Sequence, residues 1–203
     1  MTANGHVLHF GTMLAPIGSI RCPLLIGRDD LLDLVDRRLD DVAAGHGQFL
    51  LLAGEAGIGK SRLLDAIRRK AAVRDMPVAL GSVAPQDRDV PAASIQDLAR
   101  TMSRMAPLEA AGTSLLALVS TTETPGLIGR RRMVMDAVDL MIEALPGPTV
   151  LGFEGLGWAD DLSLEIIGEL ARRARADPLL IVADYRIEDV PPGTSLRDWR
   201  VRL

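Results

Sequence analysis

The chain has 203 residues, 48% of them hydrophobic and 3% aromatic, with a formal net charge of −4. This length and apolar content predict one globular domain with a substantial core. The acidic balance excludes a broad basic surface for nucleic acid or anionic membranes, and the few aromatic rings argue against base-stacking platforms. We interpret the basic run Arg130, Arg131 and Arg132 as a solvated helix start.

The N-terminal region and the single cysteine indicate the compartment. Cys22 has no partner for an intrachain disulfide or a CxxC motif, which fits a reducing compartment, and the predicted location is cytoplasmic. No apolar run approaches the ~20 residues that span a bilayer, so we expect neither export nor membrane insertion. Residues 1–22 lack periodicity and are predicted to be a flexible leader, with Met13 as an alternative start. Residues 23–203 are predicted to form the core.

Hydrophobic periodicity predicts helices alternating with short buried strands. In chain order these are a helix at 31–45, a strand at 49–53, a helix from 61, a strand at 78–80, a loop at 81–91, helices at 93–106 and 128–145, a strand at 149–153, a helix at 161–176 and a strand at 179–183. Such alternation predicts an α/β fold: a three-layer α/β/α sandwich around a mostly parallel sheet. Its ligand crevice is expected beyond the carboxyl ends of the strands.

A glycine-rich motif lies between the first of these strands and the next helix. Residues 54–61, GEAGIGKS, match GxxxxGK[ST] in full. The glycines let backbone amides turn towards a polyphosphate, Lys60 reaches the β and γ phosphates, and the Ser61 hydroxyl is a magnesium ligand. The predicted nucleotide-binding residues are Gly54, Glu55, Ala56, Gly57, Ile58, Gly59, Lys60, Ser61 and Arg62. This phosphate-binding loop (P-loop) contacts the phosphates and not the base, so its residues do not distinguish ATP from GTP as the ligand.

A carboxylate at the end of a second buried strand is the expected magnesium partner of such a loop. Glu154 directly follows the strand predicted at 149–153 and is the candidate, together with Ser61, for magnesium. A solvated loop carboxylate is the alternative interpretation of Glu154.

Four ordered segments resemble one family. They are LLIGRDD at 24–30, GEAGIGKSRLL at 54–64, EGLGWADDLSL at 154–164 and LLIVADYR at 179–186. In these the chain is similar to the signal-transduction ATPases with numerous domains (STAND), within the AAA-like P-loop class. It looks like the ATPase module of LuxR-type transcriptional regulators and of cyclase-associated bacterial ATPases.

The resemblance implies a ligand and further site residues. It implies ATP with magnesium, and it puts Ile26, Gly27 and Arg28 near the adenine or ribose. It also implies that Arg186 senses the γ-phosphate and acts in catalysis with Lys60 and Glu154. Asp160, in the family's WAD element, is expected to cap the next helix as much as to contact the nucleotide.

The chain departs from the family pattern at two glycines and at its end. Gly155 stands where the second of two adjacent acids is usual, and Gly157 where His or another polar residue is frequent. If the second acid polarises the attacking water, hydrolysis is expected to be slow or lost. Family members continue into a fifth core strand, a helical lid and a winged-helix region. We therefore expect a core that is incomplete at its C-terminus, with an unprotected sheet edge that favours self-association.

The leading functional hypothesis is an ATP-dependent regulatory switch within a signalling or transcriptional regulator. It predicts no direct nucleic-acid or membrane binding by this domain. Two alternatives are a small P-loop phosphotransferase, a kinase that shares the loop mechanics, and a nucleotide-binding scaffold without catalysis.

Overall fold

A computed structural model describes residues 5–9, 29–120, 126–190 and 195–202 of the chain. Strands and helices alternate within these ranges. The strands are β1 (Gly5–His9), β2 (Gln48–Gly54), β3 (Val78–Ser82), β4 (Thr149–Glu154) and β5 (Leu179–Arg186). The helices are α1 (Asp29–Ala43), α2 (Lys60–Val73), α3 (Ala93–Met102), α4 (Glu109–Val119), α5 (Leu127–Glu143), α6 (Asp161–Arg173) and α7 (Ser195–Arg202). None of these helices is long and apolar enough to cross a membrane.

The strands form one sheet in the order β1-β2-β5-β4-β3, and every neighbouring pair is parallel. The predicted parallel sheet is thereby confirmed. Because parallel strands end at the same edge, the carboxyl ends of β2, β4 and β5 lie side by side. This edge carries the glycine-rich loop and Glu154.

Helices cover both faces of the sheet, which confirms the predicted three-layer α/β/α architecture. On one face, Leu50 and Val182 pack with Val35 and Ile67, so that α1 and α2 form one layer. On the other face, apolar side chains of α3 to α7 form a single buried cluster with the sheet. The alternation of side chains along each strand separates these two cores.

Strand β1 lies within residues 1–22, the segment that the sequence predicts to be a flexible leader. Residues 5–9 pair in parallel with residues 49–53 of β2 and cover the outer edge of that strand. Backbone hydrogen bonds of a strand leave no trace in a search for side-chain periodicity, which is why sequence analysis placed no element here. The remaining residues of the predicted leader lie outside the described residues, and the division at residue 22 stays a prediction.

Ion pairs connect the two helices of the first layer. Lys70 and Arg74 near the end of α2 both contact Asp36 of α1, and Arg74 also contacts Asp40. The hydrogen bond from Lys70, with that from Arg74, outweighs partial burial and lowers the pKa of Asp36. These pairs fix the position of α1 on α2.

Helix α3 approaches β3 so closely that Gly81 has no room for a side chain. A Cβ at this position would lie 2.4 Å from the carbonyl oxygen of Ser94 and 2.7 Å from the amide nitrogen of Leu98. We expect Gly81→Ala to lower the free energy of unfolding by about 1–3 kcal/mol through overpacking. Gly126→Ala is the control, because a Cβ there meets nothing within 4 Å and its φ of −57° suits alanine. Denaturant unfolding would measure both, and equal stabilities would contradict the close α3–β3 contact.

Candidate nucleotide site

The glycine-rich loop joins the end of β2 to the start of α2. Gly57 and Gly59 have φ angles of +77° and +101°, in the left-handed region that side chains disfavour. Gly59 immediately precedes α2, whose first residue is Lys60. The loop therefore ends at a helix N-terminus, where free N–H groups and the helix dipole favour an anion.

Lys60 fixes the shape of the loop from inside. Its Nζ atom donates hydrogen bonds to the carbonyl oxygens of Gly54 at 2.7 Å and Glu55 at 2.9 Å. The residue is 6% exposed. Burial lowers the pKa of Lys60, and the negative charges of Asp184 and Glu188 act in the opposite direction. The ammonium group thus clamps the loop backbone at the place where phosphate oxygens would be met.

A carboxylate already occupies part of the loop. The N–H of Ala56 donates a hydrogen bond of 2.8 Å to Oε1 of Glu188, a residue in the turn Ile187–Asp189 after β5. The pKa of Glu188 is lowered by its own backbone N–H, and then by that of Ala56 and the charge of Lys60. Glu188 demonstrates that the loop accepts an anionic oxygen, which is the chemistry that a phosphate presents.

Two carboxylates lie at the neighbouring strand ends. Glu154 ends β4 and is half-buried, and burial raises its pKa, as does the nearby charge of Asp184. Asp184 is 8% exposed, and its Oδ1 accepts the N–H of Gly155 at 2.7 Å. Burial raises the pKa of Asp184, whereas the Gly155 N–H and Lys60 lower it. Sequence analysis selected Glu154 and missed Asp184.

The loop and the acids line one open crevice of about 560 Å³. Its walls include Gly57, Gly59, Lys60, Ser61, Arg62, Glu154, Asp184 and Arg186. Arg186 ends β5 and is exposed. A larger groove of about 990 Å³ is lined by residues of α5, α6 and α7 and by none of the loop residues. The crevice at the loop is therefore the candidate site, and its size suits a small ligand.

The oxygen atoms in the crevice suit magnesium. Ser61 and Glu154 offer a hydroxyl and a carboxylate, which are the hard donors that this ion prefers. Among the described residues, no three or more His, Cys, Asp or Glu side chains form a ready-made metal site. An ion shared with bound phosphates fits this arrangement, because magnesium is usually held by one or two carboxylates plus substrate phosphates.

The other predicted positions differ in outcome. Ile26, Gly27 and Arg28 lie outside the described residues, and their contact with a base stays a prediction. Asp160 caps α6, where its side chain accepts the N–H groups of Leu162 and Ser163, so its predicted capping role is confirmed.

The aromatic residue of the WAD element lies at the mouth of the crevice. The indole Nε1 of Trp158 donates to Asp189 at 3.2 Å, and Arg88 lies 5.5 Å from its ring centre. Gly157 is tightly packed, because a Cβ there would lie 2.8 Å from the Cβ of Asp189. A larger residue at this position would have to displace Asp189 in the turn Ile187–Asp189.

A parallel sheet with a glycine-rich loop before a helix, and acids at the adjacent strand ends, defines the P-loop class of α/β proteins. Within that class, residues 24–182 match the family model described as the AAA ATPase domain. The chain belongs to this family.

Similar proteins include an uncharacterized protein of Rhizobium meliloti (strain 1021), which is 27% identical over 191 residues. That match covers 80% of this chain and 18% of the relative, so the chain spans less than a fifth of its length. Among solved structures, the ORC1 protein of Aeropyrum pernix in complex with DNA has a TM-score of 0.48 at 15% identity, covering 84% of this chain and 43% of that one. AMPPCP-bound DnaA from Aquifex aeolicus has a TM-score of 0.41 at 16% identity, covering 88% and 45%.

The backbone at Gly155 excludes a side chain at the position of the missing acid. Its φ is +79°, and a Cβ would lie 2.4 Å from the carbonyl oxygen of Val83. We expect Gly155→Ala to destabilise the fold by about 2–4 kcal/mol, from left-handed strain and overpacking together. Gly45→Ala is the matched control, because Gly45 has a φ of +87° but open space around it. Thermal unfolding would compare them, and equal losses would show that the Val83 contact contributes nothing.

Proposed function

We propose that this domain binds ATP with magnesium in the crevice and acts as a regulatory switch module in a larger cytoplasmic protein. The observation that carries the proposal is the loop itself, in which Lys60 clamps the backbone and the Ala56 N–H already holds a carboxylate. Membership of the AAA ATPase domain family supports nucleotide as the ligand. The resemblance to STAND ATPases supports ATP and the signalling role.

Each side chain of the crevice has a defined part in this proposal. Phosphate oxygens would take the place of Glu188 at the Ala56 N–H, and Lys60 would exchange its loop carbonyls for β and γ phosphates. Ser61 and Glu154 would hold magnesium, which neutralises phosphate charge. Arg186 would contact the γ-phosphate from the end of β5. Contacts to the ligand would thus replace the internal contacts of Ala56 and Lys60.

The switch would arise from competition between Glu188 and nucleotide. The turn that carries Glu188 is held to the crevice mouth by the bond from Trp158 to Asp189. Nucleotide that displaces Glu188 would change how this turn sits, and a ligand that prefers one arrangement shifts the population towards it. Self-association and attachment to further domains stay predictions from the sequence.

Replacing Lys60 tests the binding site. We expect Lys60→Ala to weaken binding of magnesium and ATP at least about tenfold, because it removes charge-assisted hydrogen bonds to the phosphates. Isothermal calorimetry with ATP, ADP and GTP, followed by phosphate release in the same samples, would measure affinity, base preference and turnover. Lys70→Ala is the control, since Lys70 is on the same helix but pairs with Asp36.

Two results would contradict the proposal. One is the absence of nucleotide binding by the unaltered, folded protein. The other is equal ATP affinity in Lys60→Ala and in the Lys70→Ala control while circular dichroism shows both folded.

Replacing Glu188 tests the competition. We expect Glu188→Ala to bind ATP with magnesium about threefold to tenfold more tightly, because nucleotide no longer displaces a hydrogen-bonded carboxylate from Ala56. Glu143→Ala removes an equal charge from an exposed position at the end of α5 and serves as the control. Unchanged affinity in Glu188→Ala, or the same gain in both variants, would show that Glu188 does not compete with phosphate.

A further inference from the structure

The position that carries the second acid in the family is closed in this chain. Gly155 adopts a left-handed backbone, and Val83 fills the space into which a side chain would project. A carboxylate attached to residue 155 is therefore incompatible with this backbone. If the site has a second carboxylate, that carboxylate comes from another strand.

Asp184 places a carboxylate beside the same backbone position. Strand β5 lies between β2 and β4, and Asp184 stands opposite Leu52 of β2. Its Oδ1 is 2.7 Å from the amide nitrogen of Gly155, and it lines the crevice with Lys60, Ser61 and Glu154. Two residues adjacent in the chain are thus replaced by two carboxylates adjacent in space.

Glu154 and Asp184 also lie on the face of the sheet that α2 and the P-loop cover. Val150 and Val182 pack into the core beneath α1 and α2. Alternation along a strand places Glu154 and Asp184 on that same face, since each follows its valine by an even number of residues. Helix α2 begins on this face with Lys60 and Ser61. Both carboxylates are therefore on the face of the sheet that α2 covers, where the P-loop would bind phosphates.

The buried position of Asp184 calls for an explanation, because a neutral amide oxygen could also accept the Gly155 N–H. Keeping a carboxylate 8% exposed is unfavourable unless it meets a cation or a strong hydrogen-bond donor. Lys60 is the near cation, but its ammonium donates to the carbonyls of Gly54 and Glu55. A carboxylate at this position fits a site that orients a water molecule.

We propose that Asp184 is the second carboxylate of the nucleotide site and orients the water that attacks ATP. This inference rests on the proposed ATP binding. Asp184 accepts a hydrogen bond from the water, whose oxygen forms a bond to the γ phosphorus. The bond from that phosphorus to the bridging oxygen breaks, its electron pair stays with ADP, and both protons of the water remain on the released phosphate, which leaves as H2PO4−. Turnover is thereby retained in spite of Gly155.

The test separates this role from simple support of the Gly155 loop. Asp184→Asn keeps an oxygen that can accept the Gly155 N–H but removes the charge that orients water. We expect the variant to bind ATP with magnesium as tightly as the unaltered protein, or more tightly, while its kcat for phosphate release falls about 100-fold or more. Asp184→Glu retains the charge and is expected to keep more turnover than Asp184→Asn.

Asp97→Asn is the matched control. Asp97 accepts the N–H of Ser82 at 2.9 Å, so it too is a carboxylate that holds a backbone amide at a strand end. We expect its kcat to equal that of the unaltered protein. Equal kcat in Asp184→Asn and Asp97→Asn, or parallel losses of ATP affinity and thermal stability in Asp184→Asn, would overturn the inference.

The measurements on the unaltered protein separate the two proposals. ATP binding without measurable phosphate release overturns the role of Asp184 and leaves the binding function standing. Absence of ATP binding overturns both. Binding with release that disappears in Asp184→Asn supports both.

Discussion

The parallel pairing of β5 with β2 on one side and β4 on the other is the constraint on which the site depends. Each strand carries a part of the site at or near its carboxyl end, and parallel pairing brings these three ends to one edge of the sheet. The P-loop follows β2, Glu154 ends β4 and Asp184 lies in β5. Strands β2 and β5 are neighbours in the sheet although more than a hundred residues separate them in the chain. None of these segments could form the site alone, because Lys60, Glu154 and Asp184 come from three different segments.

The electrostatics of the edge follow from this arrangement. Lys60 is a buried cation facing several acids, and it satisfies its donors on backbone carbonyls rather than in a tight ion pair. Buried groups of opposite sign that are not locked together remain available to a charged ligand. Glu188 illustrates this availability, since its exposed carboxylate accepts the N–H of Ala56 at a position where a phosphate oxygen could bind.

Much of the fold was predictable, because buried strands and amphipathic helices have characteristic patterns of hydrophobic residues in the sequence. The parallel sheet, its two helical layers and the loop at residues 54–61 were all predicted. Helix α4 was not, since its run of small and apolar residues has little periodic contrast, and β1 depends on backbone pairing. Asp184 was missed for a different reason. The resemblance puts a second acid next to Glu154 in the chain, whereas Asp184 comes from the neighbouring strand. The polar residue at the end of the apolar run 179–183 was the available signal.

The ion pairs between α1 and α2 have a mechanical consequence. Lys70 and Arg74 lie roughly 15–20 Å along α2 from its first residue, at a rise of about 1.5 Å per residue. Their ion pairs with Asp36 and Asp40 connect α2 to α1 at this distance from the P-loop. A tilt of α2 at the phosphate end would therefore be opposed by these contacts unless α1 tilted with it. Higher ionic strength should weaken this connection between α1 and α2, because the ion pairs are partly exposed to solvent, where salt screens them.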